Sequence, residues 1–362
     1  MTTSAQIVAV DLFCGAAGLS FGLKQSGIEI SAGIDLDPAC RYPFERNIGA
    51  KFIEQDIASI EASTVTALFG GAAIKVLAGC APCQPFSGYT TRRRQIDGRW
   101  QLLLEFLRIA QDTLPDIVTL ENVPRLARLP LWERFVSGLQ ESGYKVTWQV
   151  LDAAHYGVPQ SRKRLVLLAS RLGEINLPSP REGALPTVKK AIGRLPKVGA
   201  GEQSQADRLH ASRALTDRNL ARIRASKPAG TWREWPAAMR VPCHRSKSGK
   251  TYPSVYGRMS WDRPSPTITT QFYGFGNGRF GHPVQDRAIT LREGAILQSF
   301  PLDYHFVAPG PRLNFREIGR LIGNAVPPAL ARAIGTAIVD HVEGIAARPS
   351  KTRRRNKQAE PG

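Results

Sequence analysis

The stretch IVAVDLFCGAAGLSFG (7–22) decides the fold. Its start, IVAVDLF (7–13), is an apolar run of strand length, and the residues beyond the turn have amphipathic spacing. Gly15, Gly18 and Gly22 fall where strand passes into helix. Glycines there let the backbone approach a ligand and let the helix N-terminus face it. A second apolar run, IEISAGID (28–35), ends at Asp35, twenty residues after Gly15. An acid at that interval suits a ribose hydroxyl. The signature accommodates a nicotinamide cofactor, a flavin or S-adenosylmethionine, and also a tight turn with no ligand. Asp56, in FIEQDIAS (52–59), reads either as an acceptor for an adenine amino group or as a surface capping acid.

Working outward, IKVLAGC (74–80), DIVTLENV (116–123) and RLVLLAS (164–170) are further runs of strand length. WQLLLEFLRIAQDTL (100–114) has helical spacing and stops before Pro115. Short apolar strands alternating with helices predict an α/β fold with a parallel, doubly wound sheet. The texture then changes: residues 171–270 are rich in Pro, Arg, Ser and Gly, which predicts a separate, loop-rich domain. Periodicity returns at REIGRLIG (316–323) and PPALARAIGTAIVDHV (327–342), where prolines open a helix well. The tail RPSKTRRRNKQAEPG (348–362) has the composition of a disordered segment.

The charge is uneven. The chain of 362 residues carries a net +19. Residues 171–270 contribute +12, residues 84–99 contribute +3 and residues 351–362 contribute +4, which leaves the rest neutral. A neutral body with basic surfaces points to a polyanion, foremost nucleic acid. The five cysteines (14, 40, 80, 83, 243) are odd in number and unevenly spaced, which argues against a disulfide framework. The N-terminus lacks the basic and apolar regions of a signal peptide, and no run of about 18 consecutive apolar residues occurs. The expectation is an intracellular protein with no membrane span.

The chemistry gathers at strand ends. Cys83 lies between Pro82 and Pro85, just past the third run, and a cationic loop with Arg92, Arg93 and Arg94 follows. A thiol near such a loop can lose its proton and act as a nucleophile. Cys80 and Cys83 also form a C-x-x-C pair, but no second pair completes a zinc site, and a redox pair would open a helix. Glu121 ends the fourth run and is a candidate for acid work, or else a structural acid paired with an arginine. Arg162 and Arg164 stand two apart, so an extended backbone points them the same way, toward Glu121 or a substrate oxygen.

Taken in order, DLFCGAAGLS, PCQPFS, ENV, PQSRKR, REGAILQSFPLDY and GNAVPP resemble the DNA (cytosine-5)-methyltransferase family. The match covers about residues 1–170 and 280–342. The resemblance implies a Rossmann-like fold that uses S-adenosylmethionine, without a metal, beside a smaller, loop-rich target-recognition domain. It implies a catalytic and cofactor-binding domain at 1–175, recognition at 176–312, returning helices at 313–345 and a tail at 346–362. Cys83 matches the nucleophile, Glu121 the partner of cytosine N3, Arg164 the arginine on cytosine O2, and Arg162 the other motif arginine. Phe13, Gly15, Gly18, Asp35, Leu36, Asp56, Ile57, Leu102, Asn324 and Ala325 match the cofactor site. Gln84, Ser87, Arg92, Arg93 and Arg94 match the DNA-facing loop. Two departures stand out: Ala17, where the family commonly has glycine, and Leu36, where some members stack an aromatic ring.

The function so implied is methyl transfer to C5 of a flipped-out cytosine in double-stranded DNA, through a Cys83–C6 adduct. The implied setting is a cytoplasmic, nucleoid-associated, prokaryotic monomer, either paired with a restriction endonuclease or solitary. An RNA cytosine methyltransferase, a silent DNA binder and a nicotinamide oxidoreductase are the alternatives. Trp232, Trp235 and Trp261 are expected to anchor the recognition domain rather than to stack on bases. TITTQ (267–271) is expected near the minor groove or target strand.

Overall fold

The apolar runs become strands in the computed structural model, which describes residues 6–82, 101–245, 253–310 and 312–347. They are β1 (Ile7–Leu12), β2 (Glu29–Asp35), β3 (Lys51–Glu54), β4 (Ile74–Gly79), β5 (Ile117–Asn122), β6 (Lys145–Asp152) and β7 (Lys163–Ser170). One sheet holds them in the order β3-β2-β1-β4-β5-β7-β6.

Period-two alternation sorts the side chains to two faces. Val10, Leu12, Leu77, Leu120 and Leu167 pack with α3 (Ala62–Leu68), α4 (Gln101–Thr113) and α5 (Pro130–Glu141) on one side. Ala9, Val76, Val166 and Leu168 pack with α1 (Gly18–Gln25), α2 (Arg41–Ile48) and the C-terminal α10 (Pro328–Ala346) on the other. Helices on both faces are why the central strands read as unbroken apolar runs. Helix α1 lies close against α10: a Cβ on Gly22 would fall 2.4 Å from the Ala331 Cβ.

The sheet is not wholly parallel. β1, β2, β3, β4 and β5 run parallel, but β7 is antiparallel to both β5 and β6. The reason is the connection. Only residues 153–162, with a short 3₁₀ turn at Ala153–Tyr156, join β6 to β7. A parallel crossover needs a dozen or more residues, usually including a helix. Strands β3 and β6 give no clear apolar run: β3 is four residues long, and the sheet-edge β6 mixes lysine, threonine and glutamine with its apolar residues.

Past β7 the chain first holds short helices, among them α6 (Val188–Ile192) and α7 (Asp217–Arg224), and among the described residues it forms no further strand. A small separate core forms from Ile223, Trp232, Trp235, Phe275 and Ala288. Trp232 and Trp235 are buried in it, as expected of anchors, and the Arg222 guanidinium sits 5.6 Å from both the Trp235 and Tyr256 rings. Trp261 packs instead against the main core. The flanking residues Val188, Leu209 and Ile289 and the helix α8 (Leu291–Leu297) join the main core too. The stretch Phe315–Ala346, containing α9 (Phe315–Asn324) and α10, is long and apolar enough to cross a membrane by length and composition, but 61% of its apolar window is buried inside the protein.

A buried ion pair fastens the basic region to α8. Arg287 donates from Nη1 and Nη2 to the two carboxylate oxygens of Glu293, each at 2.7 Å, and both residues are fully buried. Glu293 also closes a capping box with Thr290 at the start of α8. Removing one member of such a pair leaves the other charge buried and uncompensated. Arg287→Met should therefore destabilise the protein by about 3–5 kcal/mol, read as a lower denaturant midpoint. A midpoint unchanged from wild type would show that the pair does not hold this joint.

Candidate active site

The parallel strands deliver their last residues, Leu12, Asp35, Glu54, Gly79 and Asn122, to one edge of the sheet. Because β7 runs the other way, its first residues arrive at the same edge, with Leu165 paired to Asn122. Strand order reverses between β1 and β4, and the crevice at such a reversal is where doubly wound sheets bind ligands.

The loop after β1 is tightly wound, with Phe13, Gly15 and Ala17 at φ of 58°, 54° and 61°. Gly15 donates its N–H to Asp35 Oδ2 at 2.9 Å, and Asp37 donates to Asp35 Oδ1 at 2.9 Å. Burial raises the pKa of Asp35 above the usual carboxylate value, against the pull of those two donors. Nothing occupies the space where a Gly15 Cβ would point, which leaves the loop open on that side. Gly18 differs: a Cβ there would fall 2.1 Å from Val326 O, so this glycine lets α1 approach the segment between α9 and α10. Leu36 is 63% exposed beside Asp35, Ile57 is buried and Leu102 half-buried. Asp56 is exposed and caps the turn Ile57–Ser59 by accepting from Ala58 N at 3.0 Å, so the capping role read from sequence is the one seen. Asn324 is exposed and Ala325 buried at the end of α9. Arg320 of α9 pairs with Asp37, which ties that helix to the acid loop. The open loop, the acids and an exposed apolar side chain suit a ligand built on a ribose and a purine.

Beneath this loop lies Asp11, fully buried in β1. Its Oδ2 accepts from Ser20 Oγ, while Oδ1 has no partner. Burial pushes its pKa up from 3.8 to about 7.

At the end of β5 stands Glu121, 3% exposed. Arg164 Nε lies 3.0 Å from its Oε1, and the Cys80 thiol donates to its Oε2 at 3.2 Å. Asn122 donates to Ala81 O at 3.0 Å, tying the end of β5 to the segment that leaves β4. The two arginines part company. Arg164 pairs with Glu121 as expected, but Arg162 does not. It precedes β7, is buried, and donates to Ile268 O at 3.0 Å, Gly323 O at 3.1 Å and Ala325 O at 3.3 Å. Burial and the nearby Arg164 charge lower its pKa to about 9. Ile268 also donates its N–H to Gln160 Oε1, and Gln160 and Gln298 pair side chain to side chain. TITTQ is thereby packed into the catalytic body through Ile268, while Thr269 and Gln271 stay exposed.

Cys83, Gln84, Ser87, Arg92, Arg93 and Arg94 lie outside the described residues. The sequence reading missed Cys80 as a partner of Glu121, and it missed Gln160, Gln298 and Tyr304, although all of these sit in or beside the quoted motifs. Among the described residues, no group of three or more His, Cys, Asp or Glu side chains could hold a metal ion.

Comparison with known proteins matches residues 7–340 to the family described as C-5 cytosine-specific DNA methylase. The Type II methylase M.HgiDII of Herpetosiphon aurantiacus is 46% identical over 341 residues, 93% of this chain and 96% of that protein. The Type II methyltransferase M1.HphI of Haemophilus parahaemolyticus is 32% identical, covering 91% of this chain and 86% of that one. Among solved structures, a chain described as a prophage-encoded DNA modification methyltransferase of E. coli shares the fold with a TM-score of 0.73 at 20% identity, over 93% of this chain and 99% of that one.

Asp11 generates a pH prediction. The native carboxyl keeps its proton to about pH 7, whereas an unperturbed one releases it near 3.8. Folding therefore takes up a proton between those values, and this group's contribution to stability falls as pH rises through that window. Asp11→Asn carries no charge at any pH. Its denaturation midpoint relative to wild type should shift in its favour between pH 5 and pH 8, and a difference constant across that range would refute the assignment.

Proposed function

The chain belongs to the C-5 cytosine-specific DNA methylase family, and from that premise we propose which of its residues carry the reaction. It is a DNA (cytosine-5)-methyltransferase, an enzyme that transfers a methyl group to C5 of cytosine in DNA. One observation carries the residue assignment: Glu121 is buried at the strand-end edge between Arg164 and Cys80, three residues before Cys83 in the chain.

C5 of cytosine is a poor nucleophile. The Cys83 thiolate adds to C6, and the electron pair it displaces is drawn toward N3. Glu121 meets N3 and supplies the proton or hydrogen bond that accepts this charge. Arg164 holds Glu121 and reads the cytosine O2. C5, made electron-rich by the addition, would take the methyl group, and loss of the C5 proton with departure of Cys83 then restores the aromatic ring. A stacked base is out of reach, so the target cytosine leaves the duplex. Gln84, Ser87 and the arginines 92–94 are proposed to meet the DNA around it.

The cofactor proposed is S-adenosylmethionine, which supplies an electrophilic methyl group on its sulfonium. The open face at Gly15, Asp35 at the ribose, and Leu36, Asp56 and Ile57 around the adenine fit it. Phe13, Gly18, Leu102, Asn324 and Ala325 complete the proposed pocket. No metal is proposed. Arg162 acts indirectly, by holding the Gly323 and Ala325 carbonyls where the end of α9 meets that pocket.

The proposed substrate is a short word in double-stranded DNA, read by the basic region within 176–312. The relatives' Type II names support a restriction–modification setting with a cognate endonuclease. A single recognition region supports a monomer that works in the cytoplasm at the nucleoid, one strand at a time.

Expression in a host lacking cytosine methylation, followed by bisulfite sequencing, tests this reading. Cytosines protected within one short motif, and lost with Cys83→Ala, are the expected result. Uniform conversion of all cytosines by a folded enzyme that binds S-adenosylmethionine would contradict it. Glu121→Gln should lower kcat by about 10²–10⁴-fold while duplex binding persists. A rate within a few-fold of wild type would remove Glu121 from the chemistry.

A further inference from the structure

The loop at residues 13–17 bends through three positive φ angles, two of them at the non-glycine residues Phe13 and Ala17. Such conformations persist only where the surroundings hold them. Local bonds supply part of the hold: Ala17 N donates to Cys14 O at 2.9 Å, and Cys14 N to Ile34 O at 3.2 Å.

A further bond comes from the far end of the chain. Tyr304 donates its hydroxyl to Ala16 O at 2.5 Å, across 288 residues of sequence. Its ring is fixed by Phe300 and Phe306, with centroids at 4.5 and 4.9 Å, and by the edge of Phe21 at 5.2 Å. Its carbonyl accepts from Arg292 Nη1 at 3.1 Å, and Arg292 is in turn paired with Asp207. The next residue, His305, is clamped to Asn47 of α2 through both backbone groups. Tyr304 thus stands on a braced segment with one polar atom aimed at the loop. Burial raises its pKa well above the usual phenol value, which keeps the hydroxyl a donor.

We propose that Tyr304 is a positioning residue for cofactor binding, holding the strained turn at Ala16–Ala17 in the form that receives S-adenosylmethionine. This rests on the reading of residues 13–17 as the cofactor loop. It also makes cofactor affinity depend on the segment leading out of the basic region, through Asp207, Arg292 and Tyr304.

The test is calorimetric titration of S-adenosylmethionine into wild type, Tyr304→Phe, Ala17→Gly and the double variant, with no turnover needed. Phenylalanine keeps the ring packing and removes only the hydroxyl. Tyr304→Phe should weaken binding about tenfold, the size of a lost buried hydrogen bond. It should leave cofactor-free duplex affinity within about twofold, because the DNA surface is untouched. Glycine adopts positive φ freely, so adding Ala17→Gly should restore most of the lost cofactor affinity. Unchanged cofactor affinity in Tyr304→Phe would overturn the proposal, and so would a loss that Ala17→Gly does not relieve. If Tyr304→Phe fails to fold, that result also overturns it, because the hydroxyl would then be holding the fold rather than the turn. Wild-type protein that binds no S-adenosylmethionine would instead overturn the reading of the loop itself.

Discussion

Glu121, a carboxyl buried at the end of a central strand, has a cation beside it, and the site is arranged around that pair. An unpaired buried charge costs several kcal/mol. Glu121 has Arg164 at 3.0 Å. Arg164 reaches it only because β7 is reversed, and β7 is reversed because the link from β6 is too short for a parallel crossover. The one departure from a parallel sheet is thus what brings the arginine to the strand ends where the acid stands. The Cys80 thiol holds the other carboxylate oxygen from the last turn of chain before Cys83.

Around this pair, a buried polar network joins segments distant in sequence. Gln160 and Arg162 come from the approach to β7, Gln298 from the end of α8, and the carbonyls they use from Ile268, Leu297, Ile322, Gly323 and Ala325. These bonds tie Ile268 of the basic region and the end of α9 to the approach to β7. Tyr304 adds a parallel connection to the loop at residues 13–17. The glycine loop and the strand-end acid therefore share one scaffold.

Much of this was legible in the sequence, for reasons that differ by residue. The central strands were readable because burial on both faces makes them continuously apolar. Asp35 and Glu121 were readable because strand ends concentrate function. The edge strand β6 was not, because lysine, threonine and glutamine interrupt its apolar residues, and the four-residue β3 is too short to show a pattern. The direction of β7 was set by a connection length, which a search for strands and helices does not weigh. Arg162 and Arg164 looked equivalent by spacing, but burial and three carbonyl acceptors give Arg162 a different task. The need for glycine at position 18 has a packing reason that the sequence does not show: its missing Cβ makes room for Val326 O. Contacts across hundreds of residues, such as Tyr304 to Ala16, leave no local signature.

The central claim is that Cys83, three residues after the Glu121 partner Cys80 in the sequence, attacks C6 of the target base. The most direct measurement uses a duplex carrying the recognised word with 5-fluorocytosine at the target position. Fluorine cannot leave as the proton does, so the chemistry halts with the base still bonded to the enzyme. Mass spectrometry of the denatured, digested complex should find the base on the peptide containing Cys83, with no adduct in Cys83→Ala. An adduct on another residue, or methyl transfer with no adduct at all, would contradict the account.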